Sequence, residues 1–576
     1  MKKKQIITLL VAMSLTAGSL SGCGISFNKA ESPTAATEPA ACYTEEAVCA
    51  DEAPAEEATE DVYYPEETYK DATAEEADWE TNDACETEEA PAMFAQAKSA
   101  NAASKSREES KNSDKSYLDS IYGDEDRADD FSNEEYSELE EIGFKSARRS
   151  PLSTFAADVD TASYSNMRRM LYDGYTIDEL PEGSVRIEEL INYFDYSYKN
   201  PKGNEPFGVT TVLGDCPWND RAKLLSIGLK TEDIDFADTP SSNLVFLIDV
   251  SGSMFSEDKL PLLQDAFCML TDELSEKDRV SIVTYAGSDS VVLKGAKGSE
   301  QHKIKNAIND LEAGGSTNGS AGIKTAYELA QKYFIKGGNN RVILATDGDL
   351  NVGLSSVDEL ERLISKKKES GVFLSVLGFG TGNIKDNRME TLADKGNGNY
   401  AYIDSHREAK KVLVKELSAN LLTVCKDVKF QVEFNEDAVK GYRLIGYSNR
   451  VMANKDFNDD TKDGGEIGAG HTVTALYELI LKNDAADDLL DLNIRFKRPS
   501  ADKSELLTYP VTMDSYKKNP GDDFYFQSAV AEFGLIASHS EYAEDASLDD
   551  VEDILDSIDL DDEYKEEFRE MVYYCR

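Results

Sequence analysis

The run NLVFLIDVSGS, Asn243 to Ser253, decides the fold. From Leu244 to Ile248 it is apolar at every position. A strand with one wet face alternates apolar and polar residues, whereas a short continuous apolar run that ends in turn residues reads as a strand buried on both faces. In a sheet of such strands, ligands bind at the loops leaving the carboxyl ends. Here that loop brings Asp249, Ser251 and Ser253.

The pattern repeats downstream. Strand candidates at 243–250, 279–286, 291–294, 341–347, 372–380 and 400–404 alternate with helix candidates at 258–275, 301–312, 320–335, 357–370, 387–395 and 406–424. This order predicts an α/β unit over 240–424 with a doubly wound, mostly parallel, Rossmann-like sheet. Strand-like alternation flanks it, in GVTTVLG and KLLSIGLK within 206–239 and in DVKFQVEF, YRLIGYS, TVTALYELIL and DLNIRFKR within 425–500. The segment order predicts one β-sandwich-like region interrupted by the α/β unit, with two separate small β domains as the alternative. Residues 132–205 read as a helical N-terminal region containing one short extended piece at Ser153–Asp158, and 501–576 as a helical C-terminal region. Asp158 and Asp160 precede a helical run through Leu171. Without EF-hand spacing they are expected to cap that helix rather than to bind calcium.

Two further loops join the one at Asp249. GGSTN (314–318) carries Thr317 before a helix, and ATDGD (345–349) carries Asp347 at the end of another buried strand. A D-x-S-x-S string alone is ordinary turn chemistry. Three oxygen-bearing loops of one α/β sheet can converge, and hard cations such as Mg2+ take about six oxygens, some from water. The set Asp249, Ser251, Ser253, Thr317 and Asp347 is therefore predicted to hold one divalent cation, Mg2+ first, with Mn2+ or Ca2+ as alternatives.

Together DVSGS, GGSTN and ATDGD resemble the metal-ion-dependent adhesion site of von Willebrand factor type A (VWA) domains. The resemblance implies direct ligation by Ser251 and Ser253, and by Thr317 in the liganded state. It implies that Asp249 and Asp347 often act through water, and that a carboxylate of a partner protein completes the shell. The likeness is wider than the motif. LSTFAADVDTASY, VRIEELINYF, CPWN, NNRVILATDGDLNVG, GFGTGN, KGNGNYAYID, YRLIGYSNR and GEIGAGHTVTALYEL resemble bacterial VWA-domain lipoproteins of the YfbK type, from about Asn133 to Arg576. Ser448 departs from the pattern, which often has an acidic residue there.

At the N-terminus, Lys2–Lys4 and the short apolar stretch Ile6–Leu20 form a secretory signal over 1–22. Leu20-Ser21-Gly22-Cys23 resembles a lipobox, which implies acylation of Cys23 and a chain anchored to a membrane outside the cytoplasm. Residues 23–131 are expected to be a disordered acidic linker. The part from 43 to 90 is dense in acids with Lys70 its single base, too polar to fold. A flexible chain of about 110 residues spans roughly 60 Å, enough to lift the folded part off a membrane. Seven cysteines besides Cys23 form no C-x-x-C pair and suggest no connectivity; Cys268, in the run AFCML, is expected in the core.

Charge and motif content narrow the function. With 61 Lys plus Arg against 111 Asp plus Glu the formal charge is −50, which repels nucleic acid. The four histidines, His302, His406, His471 and His539, make no H-E-x-x-H pair, and there is no G-x-S-x-G elbow or Walker A loop. Gly378-Phe379-Gly380-Thr381-Gly382 lacks dinucleotide-loop spacing. His471, just before a strand, is expected to be structural. The sequence thus points to a non-catalytic, metal-dependent protein-binding module in the cell envelope. An envelope scaffold with a purely structural metal is the alternative, and a hydrolase stands behind both.

Overall fold

The computed structural model describes residues 134–576 apart from 138–139, 158–159, 236–238, 287–288, 315–319, 349–356, 463, 500 and 561. Cys23, the acidic linker, Asp158 and Thr317 lie outside the described residues.

Strands are numbered in chain order among these residues. Before the central unit come β1 (Lys145–Ser146), β2 (Leu152–Ala156), β3 (Gly208–Asp215) and β4 (Lys223–Lys230). The unit holds β5 (Ser242–Asp249), β6 (Arg279–Tyr285), β7 (Asp289–Lys297), β8 (Asn339–Thr346), β9 (Phe373–Phe379) and β10 (Tyr400–Ile403). After it come β11 (Thr423–Phe434), β12 (Val439–Ile445), β13 (Ile467–Gly468), β14 (Thr472–Leu481), β15 (Asp488–Lys497) and β16 (Glu505–Thr512).

The central sheet runs β10-β9-β8-β5-β6-β7 and is parallel except for β7, which turns back antiparallel on β6 at the edge. Alternate side chains of β5 enter different cores, which explains its unbroken apolar run. Leu244, Phe246 and Ile248 pack with the helices Leu260–Glu273 and Gln301–Asn309 and the segment after His406. Val245 and Leu247 pack with the helices Ser320–Lys332, Val357–Lys368 and Asp386–Lys395 on the other face. Phe246 stacks on Phe267 with centroids 4.3 Å apart. Burying each such side chain contributes about 1.5–3 kcal/mol. This is the predicted doubly wound sheet. Cys268, placed in the core by its apolar run, is only half-buried at the rim of one cluster.

The single helix expected over 406–424 is broken. An α-helix at His406–Lys410 passes into a π-turn at Lys411–Lys415 and a short helix at Leu417–Leu421, and β11 begins at Thr423. The widened turn sets the buried Lys411 ammonium against Glu416 and over the Tyr193 ring, 4.3 Å from its centroid.

The flanking strands form two antiparallel sheets, β1-β12-β14-β4-β3 and β13-β11-β15-β16 with β2 added on β11. Residues from both share one core, where Phe434 stacks on Tyr442 at 3.9 Å and Phe155 meets Tyr477 edge-on. Strands from before and after the α/β unit pair directly, β4 with β14 and β2 with β11. One interrupted sandwich is therefore the arrangement, not two β domains.

Three expectations need correction. Residues 132–205 are not simply helical, because β1 and β2 join one sheet each beside the helices Ala162–Tyr172 and Ile187–Asn192. Residues 501–576 open with β16, paired along β15, before their helices begin at Asp522. Pro510 lies within β16, an edge strand, where proline is tolerated. Asp160 is not the cap of the helix it precedes. The N-cap position falls on Thr161, while Asp160 accepts the Tyr400 backbone N–H at 2.9 Å and pairs with Arg450 at 3.3 Å.

Buried arginines tie the layers together. Arg168 grips Asp404 through Nε at 2.8 Å and Nη2 at 2.6 Å. It also reaches Glu408 at 2.8 Å, Glu567 at 2.9 Å and the Tyr193 hydroxyl at 2.9 Å. One guanidinium thus joins the N-terminal helix, the end of β10 and the C-terminal helix Glu563–Tyr574. Arg450 links the sandwich to Glu390 at 2.9 Å and Asp394 at 2.8 Å on the α/β unit. Removing one partner of a buried pair strands the others without compensation and costs about 3–5 kcal/mol. Arg168→Met is expected to lower unfolding stability by about that amount, read from the urea midpoint; a change under about 0.5 kcal/mol would show that the network adds little.

Candidate functional site

Parallel pairing of β5 with β8 matches Ile248 to Ala345, and pairing with β6 matches Asp249 to Tyr285. Asp249 and Asp347 therefore leave adjacent strands at the same end of the sheet. Both are buried, at 0% and 1% exposure. The Asp249 carboxylate accepts the Ser251 backbone N–H at 2.8 Å on Oδ1 and the Thr346 hydroxyl at 3.3 Å on Oδ2. The Ser251 and Ser253 hydroxyl oxygens are 2.9 Å apart. Ser251 is buried and Ser253 is exposed, so the cluster opens to solvent on the Ser253 side.

The third loop is joined to the first at its start, where the Gly314 N–H donates to the Val250 carbonyl at 2.8 Å. Thr317, three residues on, lies outside the described residues. At the Asp347 loop, Gly348 has φ +102°, and a Cβ there would fall 2.4 Å from the Asn383 carbonyl oxygen. Gly348 thus lies against the 383–385 backbone in a conformation that suits glycine.

The site contains a cation the sequence reading missed. Lys259, at the N-terminus of the helix Leu260–Glu273, is 6% exposed and places Nζ 3.0 Å from Asp347 Oδ2. In the sequence it is one of many surface-type charges ahead of an amphipathic helix. Only the fold reveals that its partner lies 88 residues away. Tyr285 also went unnoticed. Its phenol is buried beside Asp249 and Thr346.

Burial pushes the Asp249 carboxyl up to about 6, with the nearby Asp347 charge adding to the effect and the Ser251 N–H and hydroxyl opposing it. Two buried carboxylates and the facing serine hydroxyls form a donor set suited to a small hard cation. Six oxygens at 2.0–2.1 Å around Mg2+ have neighbours about 2.9 Å apart, and Ser251 Oγ and Ser253 Oγ show that 2.9 Å spacing. Among the described residues no group of three or more His, Cys, Asp or Glu side chains could hold a metal. Any ion here must therefore rely on hydroxyls and water beside the two aspartates.

A family model for the von Willebrand factor type A domain matches residues 243–416, one for von Willebrand factor matches 130–226, and one for the C-terminal part of uncharacterized protein YfbK matches 419–576. The uncharacterized protein YfbK of Escherichia coli (strain K12) is 42% identical over 440 residues, spanning 72% of this chain and 75% of that one. Inter-alpha-trypsin inhibitor heavy chain H3 of Mesocricetus auratus is 25% identical over 268 residues, 42% of this chain but only 29% of that protein. Among solved structures, von Willebrand factor type A from Catenulispora acidiphila aligns at a TM-score of 0.36 and 14% identity, covering 76% of this chain and 90% of that one.

The raised Asp249 carboxyl has a consequence for stability without metal. The folded chain holds that proton more tightly than the unfolded one, so its contribution is intact below about pH 4 and is lost as pH rises through about 6. In EDTA, Asp249→Asn is expected to match the natural protein at pH 4 and exceed it at pH 7.5 by up to about 3 kcal/mol, measured by urea unfolding. An equal difference at both pH values would show that the buried charge carries no such penalty.

Proposed function

The chain belongs to the YfbK-type family of von Willebrand factor type A proteins, and from that premise we propose that it is a lipid-anchored protein of the cell envelope that binds a partner protein through one divalent cation. A VWA domain points to protein–protein interaction or adhesion. The observation that carries the finer reading is the convergence of buried Asp249 and Asp347 with the Ser251 and Ser253 hydroxyls at the open end of the sheet. Those four, with Thr317 from the neighbouring loop, would hold the ion. Mg2+ is the first candidate, and Mn2+ or Ca2+ the alternatives. When bound, the ion supplies a Lewis-acidic point with few charged protein ligands, which attracts a carboxylate from the partner.

The protein's own groups arrange that encounter. Asp249 orients the loop by taking the Ser251 N–H, and Thr346 holds the other oxygen of Asp249. Ser253 leaves one side open. Phe255, two residues further, is 82% exposed and offers an apolar contact beside the site. The reading is non-catalytic: the gathered groups are carboxylates, hydroxyls and an ammonium already held by Asp347. Cys23 would carry the lipid, and the acidic segment behind it would act as the spacer. No described helix is long and apolar enough to cross a membrane, and lipid at Cys23 would supply the attachment.

Titration calorimetry of the purified protein should give Mg2+ or Mn2+ binding that Asp249→Ala with Ser251→Ala abolishes; unchanged binding in the double variant would remove the site assignment. Cross-linking in intact cells should capture a protein with Mg2+ present that is lost after EDTA, and capture insensitive to EDTA would favour a scaffold with a structural metal. Cys23→Ser should move the protein from the membrane to the soluble fraction, and a variant that stays with the membrane would sink the anchor.

A further inference from the structure

A lysine on a buried carboxylate of a cation site looks like an obstacle to the cation. The geometry argues otherwise. The aliphatic stem of Lys259 runs through a slot whose wall is Gly380. That glycine has φ +73°, and a Cβ on it would fall 2.2, 2.7 and 2.3 Å from Lys259 Cγ, Cδ and Cε. The wall is fixed from both sides, since the Tyr402 hydroxyl donates to the Gly380 carbonyl at 2.8 Å and the Gly382 N–H donates to Glu134 Oε1 at 2.9 Å. The lysine backbone is held as well, its N–H on the Ser256 carbonyl at 3.1 Å and its carbonyl accepting Leu263 N–H at 2.9 Å. The GFGTG run, which fits no phosphate loop, thus finds its use in guiding an ammonium to Asp347.

We propose that Lys259 sets the charge of the loaded site, staying on Asp347 when a divalent cation is bound so that the site takes an anionic ligand. This rests on the metal-binding reading above. A carboxylate oxygen accepts more than one donor, so holding the Lys259 ammonium on Oδ2 does not bar Asp347 from the ion's water. Among the described groups of the site, two aspartates and one ammonium leave a single negative charge. A divalent ion then makes the set positive by one, and one incoming carboxylate neutralises it. Without the lysine the loaded site is already neutral, and the same carboxylate would leave an uncompensated negative charge beside buried groups. Lys259 is therefore a specificity-determining residue: it weakens the hold on metal and strengthens the hold on an acidic ligand.

The two effects have opposite signs, and this makes the test decisive. Purified protein is titrated with Mn2+, and bound ion is followed by the relaxation of water protons. Acetate is then added as the ligand probe, displacing water from the bound ion. Lys259→Met should tighten Mn2+ about tenfold and weaken acetate about tenfold, the size of a unit-charge change a few ångströms from a divalent ion under strong screening. Lys259→Gln keeps a hydrogen-bond donor for Asp347 but no charge, so it must give the same split, and it serves if the Met variant melts early. Tighter Mn2+ with unchanged acetate would mean that the lysine merely competes with the ion and leaves, overturning the proposal. So would two unchanged affinities, which make the pair only structural, or two weakened ones, which make the lysine part of the scaffold. If the natural protein holds no Mn2+ that Asp249→Ala removes, the metal reading itself fails and this one falls with it.

Discussion

The parallel register of β5 against β8 is the constraint on which the rest depends. With Ile248 opposite Ala345, the apolar alternation of β5 feeds two cores at once, and Asp249 and Asp347 emerge at one end. A slip by one residue would exchange the faces of every side chain and move one aspartate away from the other. Packing and site geometry are therefore two results of one pairing. The same interdigitation that excludes water from Leu244 to Ile248 also desolvates the carboxylate that follows, which is why Asp249 holds its proton up to about 6.

Around that sheet the chain closes its sandwich from both ends. Strands from before and after the α/β unit share one core, so the unit is an insertion into a folded frame whose halves are far apart in sequence. Such a frame needs specific ties, because apolar contact alone does not fix orientation. Arg168 and Arg450 supply them, each gathering several carboxylates around one planar guanidinium. The C-terminal helices, apolar enough to be buried, dock on the same frame through Glu567.

The electrostatics of the site follow from its asymmetry. Asp249, Ser251 and Asp347 sit behind the surface while Ser253 and Phe255 face solvent. Charge is concentrated at the back and access is at the front. Lys259 belongs to the back wall, where its ammonium reaches Asp347 along a glycine-walled slot. A chain of formal charge −50 that keeps a buried lysine at its candidate ligand site places positive charge where its surface otherwise repels anions.

The sequence by itself determined the α/β unit and the strand-like flanks, and it put Asp249, Ser251, Ser253 and Asp347 at the ends of buried strands. These rest on local signals, namely the continuous apolar run of β5, alternation in the flanks, and Asp and Ser at the ends of buried strands. That the flanks form one sandwich was decided by the pairing of β4 with β14 and β2 with β11. The sequence left β16 inside a helical C-terminal region because the strand is defined by its pairing along β15, and it made Asp160 a helix cap because the Tyr400 N–H it accepts is 240 residues away. Lys259 was illegible for the same reason. Its stem needs Gly380 and its charge needs Asp347, and neither is near it in the chain. Periodicity records which face of an element is buried. Which charges meet across the interior is decided only when the elements pack, because that depends on distances the linear pattern does not contain.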